Sequence, residues 1–265
     1  MAEDKWNSLE PGLALRHWPE GTSSPDLTLL RIAPERFDFV LCAASAEEGG
    51  SRTVRQWLQD KDLVAAINAS MYWQDGETST GLMIDWGYVN NGRIHPDFGA
   101  FFVFHPLRPE LPQVDMLDRS LDRAWRERVY GYASVVQNYR LLNAKGKNVW
   151  QPSSQTHSAA AVAKDVQGRM YFIFQHEPTT VHALGRRLEG LPLQLRTTMF
   201  VEGGVEAALA VHSHGLRTVW NGRYDTVFAA SASPRPVPNI LGIRRKAARA
   251  RGNATAPNRE SSERY

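Results

Sequence analysis

An α+β fold in a single domain, with mixed but largely antiparallel β-sheets and a few packed helices, is what this sequence predicts. Three observations carry that expectation. Short runs of β-branched and large apolar residues recur along the chain, and most are closed by Gly, Pro, Asn or Asp. Only about three stretches have helical spacing. The 265 residues, 42% hydrophobic and 22% charged, suit a globular chain, and neither a repeat nor a linker interrupts residues 1–243.

Residues 8–42 alternate turns with the runs LALRHW, LTLLRI and FDFVLCA, which read as antiparallel strands with the first at an edge. Thr53–Lys61 reads as a short helix, with Thr53 as N-cap and Val54, Trp57 and Leu58 on one side. Leu63–Asn68 is a buried strand that runs into Ala69–Trp73 and a polar loop ending at Gly81. Gly81–Asn90 with Asn91-Gly92 reads as a hairpin in which Asn-Gly supplies the positive φ angles of a type I′ turn. Phe98–His105 is a further apolar strand, and residues 106–112 form a Pro-rich loop. Leu117–Arg128 has the spacing of an amphipathic helix that presents Leu117, Leu121, Ala124 and Trp125. Tyr132–Leu142 reads as one strand carrying Gln137 and Arg140, and a loop from Gly146 continues to Gln155.

Ser158–Lys164 and Arg169–Phe174 form a second hairpin around Asp165–Gly168. Residues 179–189 read as a helix capped by Thr179 or Thr180. Thr197–Val201 is a short buried strand and Ala207–His212 another. Val219–Ala230 holds at least one more, and Pro234–Ile243 closes the domain. Residues 244–265 carry seven Lys/Arg against two Glu and too few apolar residues to offset the entropy of ordering, so a disordered basic tail is expected there.

That tail accounts for the pI near 9.1. Residues 1–243 hold 24 Lys/Arg against 26 Asp/Glu, a net of −2, which argues against nucleic acid as a partner. No apolar run is long enough to span a membrane. The single cysteine, Cys42, excludes an internal disulfide and a thiolate metal cluster. His212 and His214 alternate on one side of a strand, yet no third ligand is evident, so no metal and no cofactor are expected.

Chemistry concentrates where apolar strands stop. Val201 is followed by Glu202 and by Gly203-Gly204, so a carboxylate stands beside two residues without Cβ. Asn68 follows LVAAI, and His157 precedes SAAAV. Each has a plain alternative: a turn carboxylate facing water, an Asn satisfying a turn, a surface His at a loop end. Among eight tryptophans, Trp73 stands out because it sits in the loop directly after Asn68, suited to stacking on a sugar ring.

Four segments in order, from about residue 63 to 243, resemble the phosphodiester glycosidase family. They are LVAAINASMYWQDG, VVQNYRLL, HSAAAVAKDVQGRMYFI, and TTMFVEGGVEAAL followed by RPVPNILGI. Where the family has Asp before Gly-Gly this chain has Glu202, and where it has Arg-Thr this chain has His157-Ser158. Ser70 replaces a Gly, and Val205-Glu206 replace small residues.

The resemblance implies a hydrolase acting on a sugar-1-phosphodiester or related glycan, with a carbohydrate or sugar-phosphate substrate. Glu202, His157 and Asn68 are then the catalytic candidates. Gln137, Arg140, Tyr72, Trp73, Gly81, Ser158, Gly203 and Gly204 are the substrate-binding candidates. Glu202 stands as either general base or nucleophile, with Arg140, His157 and the two glycine amides as anion partners. An exported or periplasmic bacterial location goes with the resemblance, although residues 1–12 hold no apolar signal core and a cytosolic location stays open. The competing class is a catalytically silent protein of the same fold that binds carbohydrate or serves envelope or exopolysaccharide assembly.

Overall fold

The computed structural model describes residues 6–19, 26–225 and 234–247 of the 265-residue chain. Strands β1 (Asn7–Glu10), β2 (Leu13–Trp18), β3 (Leu27–Ile32) and β4 (Phe37–Ala43) precede helix α1 (Val54–Asp60). Strands β5 (Ala65–Asn68), β6 (Met83–Asp85), β7 (Tyr88–Asn91), β8 (Ala100–Pro106) and β9 (Val114–Asp118) lead to α2 (Trp125–Val129). Then come β10 (Tyr132–Asn138), β11 (Arg140–Leu142), β12 (His157–Asp165), β13 (Met170–Thr179) and α3 (Val181–Gly190). The remainder is β14 (Leu195–Gly203), β15 (Ala208–Ser213), β16 (Leu216–Asn221) and β17 (Asn239–Arg245).

Three sheets result: β1-β2-β3-β13-β12-β14-β11, β7-β6-β10-β8-β9 and β16-β15-β5-β17-β4. All strand pairings among the described residues are antiparallel, as in β12 with β14 and β10 with β8. The inner faces of the sheets share one core. Leu30 and Phe172 come from the first sheet, Phe102 and Met116 from the second, and Phe39, Ile67 and Leu209 from the third. Each outer face carries one helix. Val181, Leu184 and Leu188 of α3 cover Leu29 and Ile173; Trp57 of α1 covers Ala66 and Ile240; Val129 and Trp125 of α2 cover Phe101 and Val103. With both faces buried, β8 reads as an unbroken apolar run, and only the two-residue period separates Phe102 and Phe104 from Phe101 and Val103.

The α1 start is as the sequence suggests. Thr53 accepts from the Gln56 amide, and the Gln56 side chain accepts from the Thr53 amide at 2.9 Å, a reciprocal cap. At α3 it is Thr180 that caps, accepting from the Ala183 amide at 3.1 Å.

Three expectations are corrected. The first hairpin turns at Trp86-Gly87, where φ is +46° and +86°, and not at Asn91-Gly92. Asn91 instead accepts from the Arg93 amide with its own side chain and ends β7. Leu117 belongs to strand β9, opposite Phe101, and helix begins only at Trp125. Burying Met116 and Leu117 on opposite faces of a sheet is worth about 1.5–3 kcal/mol each, which outweighs the few tenths of a kcal/mol per residue that helical propensity offers. The run Tyr132–Leu142 is two strands in two sheets: Gln137 pairs with Phe101, whereas Arg140 pairs with Met199. Asn138 makes the switch at Tyr139, its side chain accepting from the Tyr139 amide and donating to the Val201 carbonyl.

Strand β17 continues past Ile243. Arg244 and Arg245 pair with β4, and Arg245 forks onto Glu10 at 2.6 and 2.8 Å. The expected tail thus loses its first two residues to the sheet, and residues 248–265 lie outside the described part.

Candidate active site

Strand β14 lies between β12 and β11, with Ala160 opposite Glu202 and Ala159 opposite Gly203. The register of β12 slips between His157 and Ala159, so His157 leaves the regular ladder at the same end where β14 delivers Glu202. A cleft of about 650 Å³ opens there. Met71, Tyr139, Trp150, Phe200 and Tyr224 form its apolar and aromatic wall, and Ser153, Gln155, Thr156, His157, Glu202 and Asp225 its polar groups. The wall is continuous: Tyr139 meets Trp150 edge-on at 5.1 Å, Trp150 lies 5.5 Å from Phe200, and Phe200 lies 6.1 Å from the His157 ring.

Glu202 is 8% exposed. Burial pushes its carboxyl up to about 8, because the charged form loses its water in this apolar surrounding. The Gly203 amide, donating to Oε1 at 2.9 Å, opposes that only in part, and the negative charge of Glu206 adds to it. At neutral pH Glu202 is a neutral acid that can donate a proton from Oε2. The phenols of Tyr72 and Tyr224 are also shifted up, first by burial and then by Glu202 and Glu206, so both stay protonated and able to donate. His157 donates from Nδ1 to the Ser158 carbonyl at 2.7 Å, since a carbonyl can only accept; in its neutral form Nε2 keeps a lone pair.

The two glycines are spent on packing. A Cβ on Gly203 would sit 2.6 Å from His157 Cε1, and one on Gly204, at φ +72°, would enter the Tyr224 ring. Both rings therefore rest directly on bare backbone. Gly204→Ala is expected to cost about 1–3 kcal/mol from the left-handed backbone alone, and the cost should shrink in a Tyr224→Ala background. Thermal unfolding of the four proteins measures it; an unchanged midpoint in the single variant would contradict this packing.

The structure brings Glu202, His157 and Gly203 into one cleft, with Gly204 behind Tyr224. Asn68 sits beside it with its polar groups engaged: Nδ2 donates to the Glu206 carbonyl at 2.9 Å and Oδ1 accepts from the Ala208 amide at 2.7 Å. It holds the single turn Gly204–Glu206 against β5. Tyr72 is half-buried and follows Met71, which lines the cleft, and Trp73 is 53% exposed on the same loop.

Other candidates are placed elsewhere. Gln137 is fully buried; Oε1 accepts from the Leu82 and His95 amides, and Nε2 donates to the His95 and Phe98 carbonyls. Arg140 is paired with the fully buried Asp118. Gly81 packs against the Gln137 backbone and the Phe98 ring. Ser158 donates to the His176 carbonyl at 2.6 Å and accepts from the Arg223 amide at 2.9 Å. Tyr139, Trp150, Tyr224 and Asp225, which do line the cleft, carry no local signal beyond residue type. Among the described residues no group of three or more His, Cys, Asp or Glu is placed to hold a metal ion.

The phosphodiester glycosidase family model matches residues 61–244. No protein of curated function matches the sequence. In fold, the chain is similar to the catalytic domain of zebrafish N-acetylglucosamine-1-phosphodiester alpha-N-acetylglucosaminidase, auto-inhibited by its pro-peptide. The TM-score is 0.58 and the identity 12%, over 89% of each chain. It is also similar to a hypothetical protein from Synechocystis, with a TM-score of 0.57 and 13% identity over 87% of this chain and 61% of that one. No described helix is long and apolar enough to cross a membrane.

Proposed function

The chain belongs to the phosphodiester glycosidase family, and from that premise we propose that it is a hydrolase that breaks a sugar-1-phosphodiester or related glycan linkage in the Glu202 cleft. The observation that carries this reading is a buried, neutral carboxylic acid on the wall of an open cleft lined by aromatic rings and polar groups. Aromatic faces suit the apolar side of a pyranose, and a carboxyl held protonated at neutral pH is the group that bond cleavage at an anomeric carbon calls for.

In the proposed mechanism Glu202 gives its proton to the leaving oxygen as the bond to the anomeric carbon breaks. His157 Nε2 takes a proton from the water that adds to that carbon, and solvent returns it to Glu202. Base or nucleophile, the roles open at the sequence level, require an ionised Glu202, which its burial disfavours below about pH 8. Asn68 acts as a positioning residue through the Gly204–Glu206 turn. Tyr72 and Trp73, on the loop beside the cleft, are assigned to sugar contacts, and an exported or periplasmic location belongs to the same reading.

The test is the pH profile of kcat/KM on chromogenic glycosides and sugar-1-phosphodiesters. A general acid must be protonated, so activity is expected to fall about tenfold per pH unit above about 8. A rise through that range would instead make Glu202 a base. Binding of oligosaccharide without turnover of any glycosidic substrate would favour the silent carbohydrate-binding alternative, which the aromatic wall also suits.

A further inference from the structure

We propose that this cleft is built for an uncharged glycan with an alkoxide leaving group, and that it discriminates against an anionic phosphodiester. The inference rests on the hydrolase reading above and narrows its substrate class.

The charges on the cleft are of one kind. Asp225 lines it beside the protonated Glu202, Glu206 stands close enough to act on both Glu202 and Tyr224, and among the described lining residues there is neither Lys nor Arg. Neighbouring cations are committed elsewhere: Arg140 to Asp118, Arg223 to Glu177, and Arg187 to Asp26 and Gln175. Arg235 lies within electrostatic reach of Tyr72 and is not among the lining residues.

The backbone at the two glycines is also closed to an anion. The Gly203 amide is bonded to Glu202 Oε1, and the open faces of Gly203 and Gly204 are covered by the His157 and Tyr224 rings. A phosphodiester held here would face the Asp225 carboxylate with no guanidinium or ammonium among the described lining residues to neutralise it. At an effective dielectric near 20, one uncompensated like charge several ångströms away weakens binding by roughly tenfold to a hundredfold.

Leaving-group chemistry points the same way. A phosphomonoester, with a second pKa of about 6, departs without help. An alkoxide is a far stronger base and leaves only as the alcohol, which needs a positioned proton donor such as Glu202. The oxygen of the breaking bond takes that proton, and water supplies the hydroxyl at the anomeric carbon, so the products are a free sugar and an alcohol.

The test compares, for several common pyranoses in both anomeric forms, the methyl glycoside with the matching methyl phosphodiester of the sugar-1-phosphate. Release of free sugar is measured at low ionic strength. The glycoside is expected to show at least tenfold higher kcat/KM, and Asp225→Lys, at an exposed position, should narrow that gap by tenfold or more. A phosphodiester cleaved as fast as its glycoside, or faster, overturns the inference and leaves the hydrolase reading intact. If neither substrate turns over, the hydrolase reading fails, and calorimetry decides the charge question separately. Binding of neutral oligosaccharide in preference to sugar-1-phosphate then supports the inference, and the reverse order or no binding of either overturns it.

Discussion

Glu202→Gln is expected to lower turnover at least a hundredfold while the fold remains. The amide keeps the shape and the bond from the Gly203 amide, and it removes the proton that the leaving oxygen requires. Its stability should also separate from the parent's in a pH-dependent way. The carboxyl titrates near 8 in the folded chain and near its ordinary 4.5 when unfolded, so the folded state holds the proton more tightly. Stability is unaffected below about 4.5, falls as pH rises from there through about 8, and by then has lost on the order of 4 kcal/mol. Glutamine has no such charge to desolvate. The variant should match the parent near pH 5 and exceed it at pH 9, by roughly ten degrees in thermal midpoint. Parent-like turnover in Glu202→Gln would reassign the carboxyl to structure and move the search to His157. A midpoint difference that does not change with pH would refute the buried neutral acid.

Gln137→Ala should do the opposite, with a large loss of stability and little loss of activity per folded molecule. Its side chain satisfies the amides of Leu82 and His95 and the carbonyls of His95 and Phe98, all from a fully buried position. Truncation strands four backbone groups, and the expected cost is about 3–5 kcal/mol after partial relaxation. For a chain of this size that is a midpoint lower by roughly ten degrees. A normal midpoint combined with a kcat/KM lowered by orders of magnitude would restore Gln137 to the substrate-binding set, where the family resemblance had placed it.

These two residues mark the line between local and long-range information. Both are polar side chains at or near the end of an apolar strand, and in the sequence they look alike. Glu202 reaches the cleft because β12 slips its register beside it and the neighbouring residues on that strand are alanines. Gln137 is taken up by the 81–98 segment, which the strand pattern does not announce as its neighbour. Arg140 shares that fate, since the chain changes sheets at Tyr139 and carries it to Asp118.

What the sequence by itself determined is what adjacent residues decide. Two-residue alternation with apolar side chains on both faces specifies doubly covered strands such as β8. A Thr followed three residues on by Gln specifies the α1 start, and a Glu followed by two glycines specifies a carboxyl where close approach is allowed. The family motifs, spread over residues 61–244, are equally a matter of order along the chain. Only the tertiary structure decided which polar groups remain free. The Glu202 proton is held by burial in a cleft whose aromatic side chains come from distant segments, Trp150 and Tyr224 among them, and Arg140 and Arg223 are engaged by acids that folding brings to them. Desolvation and pairing depend on neighbours in space, and local pattern in a chain specifies faces and ends without specifying those neighbours.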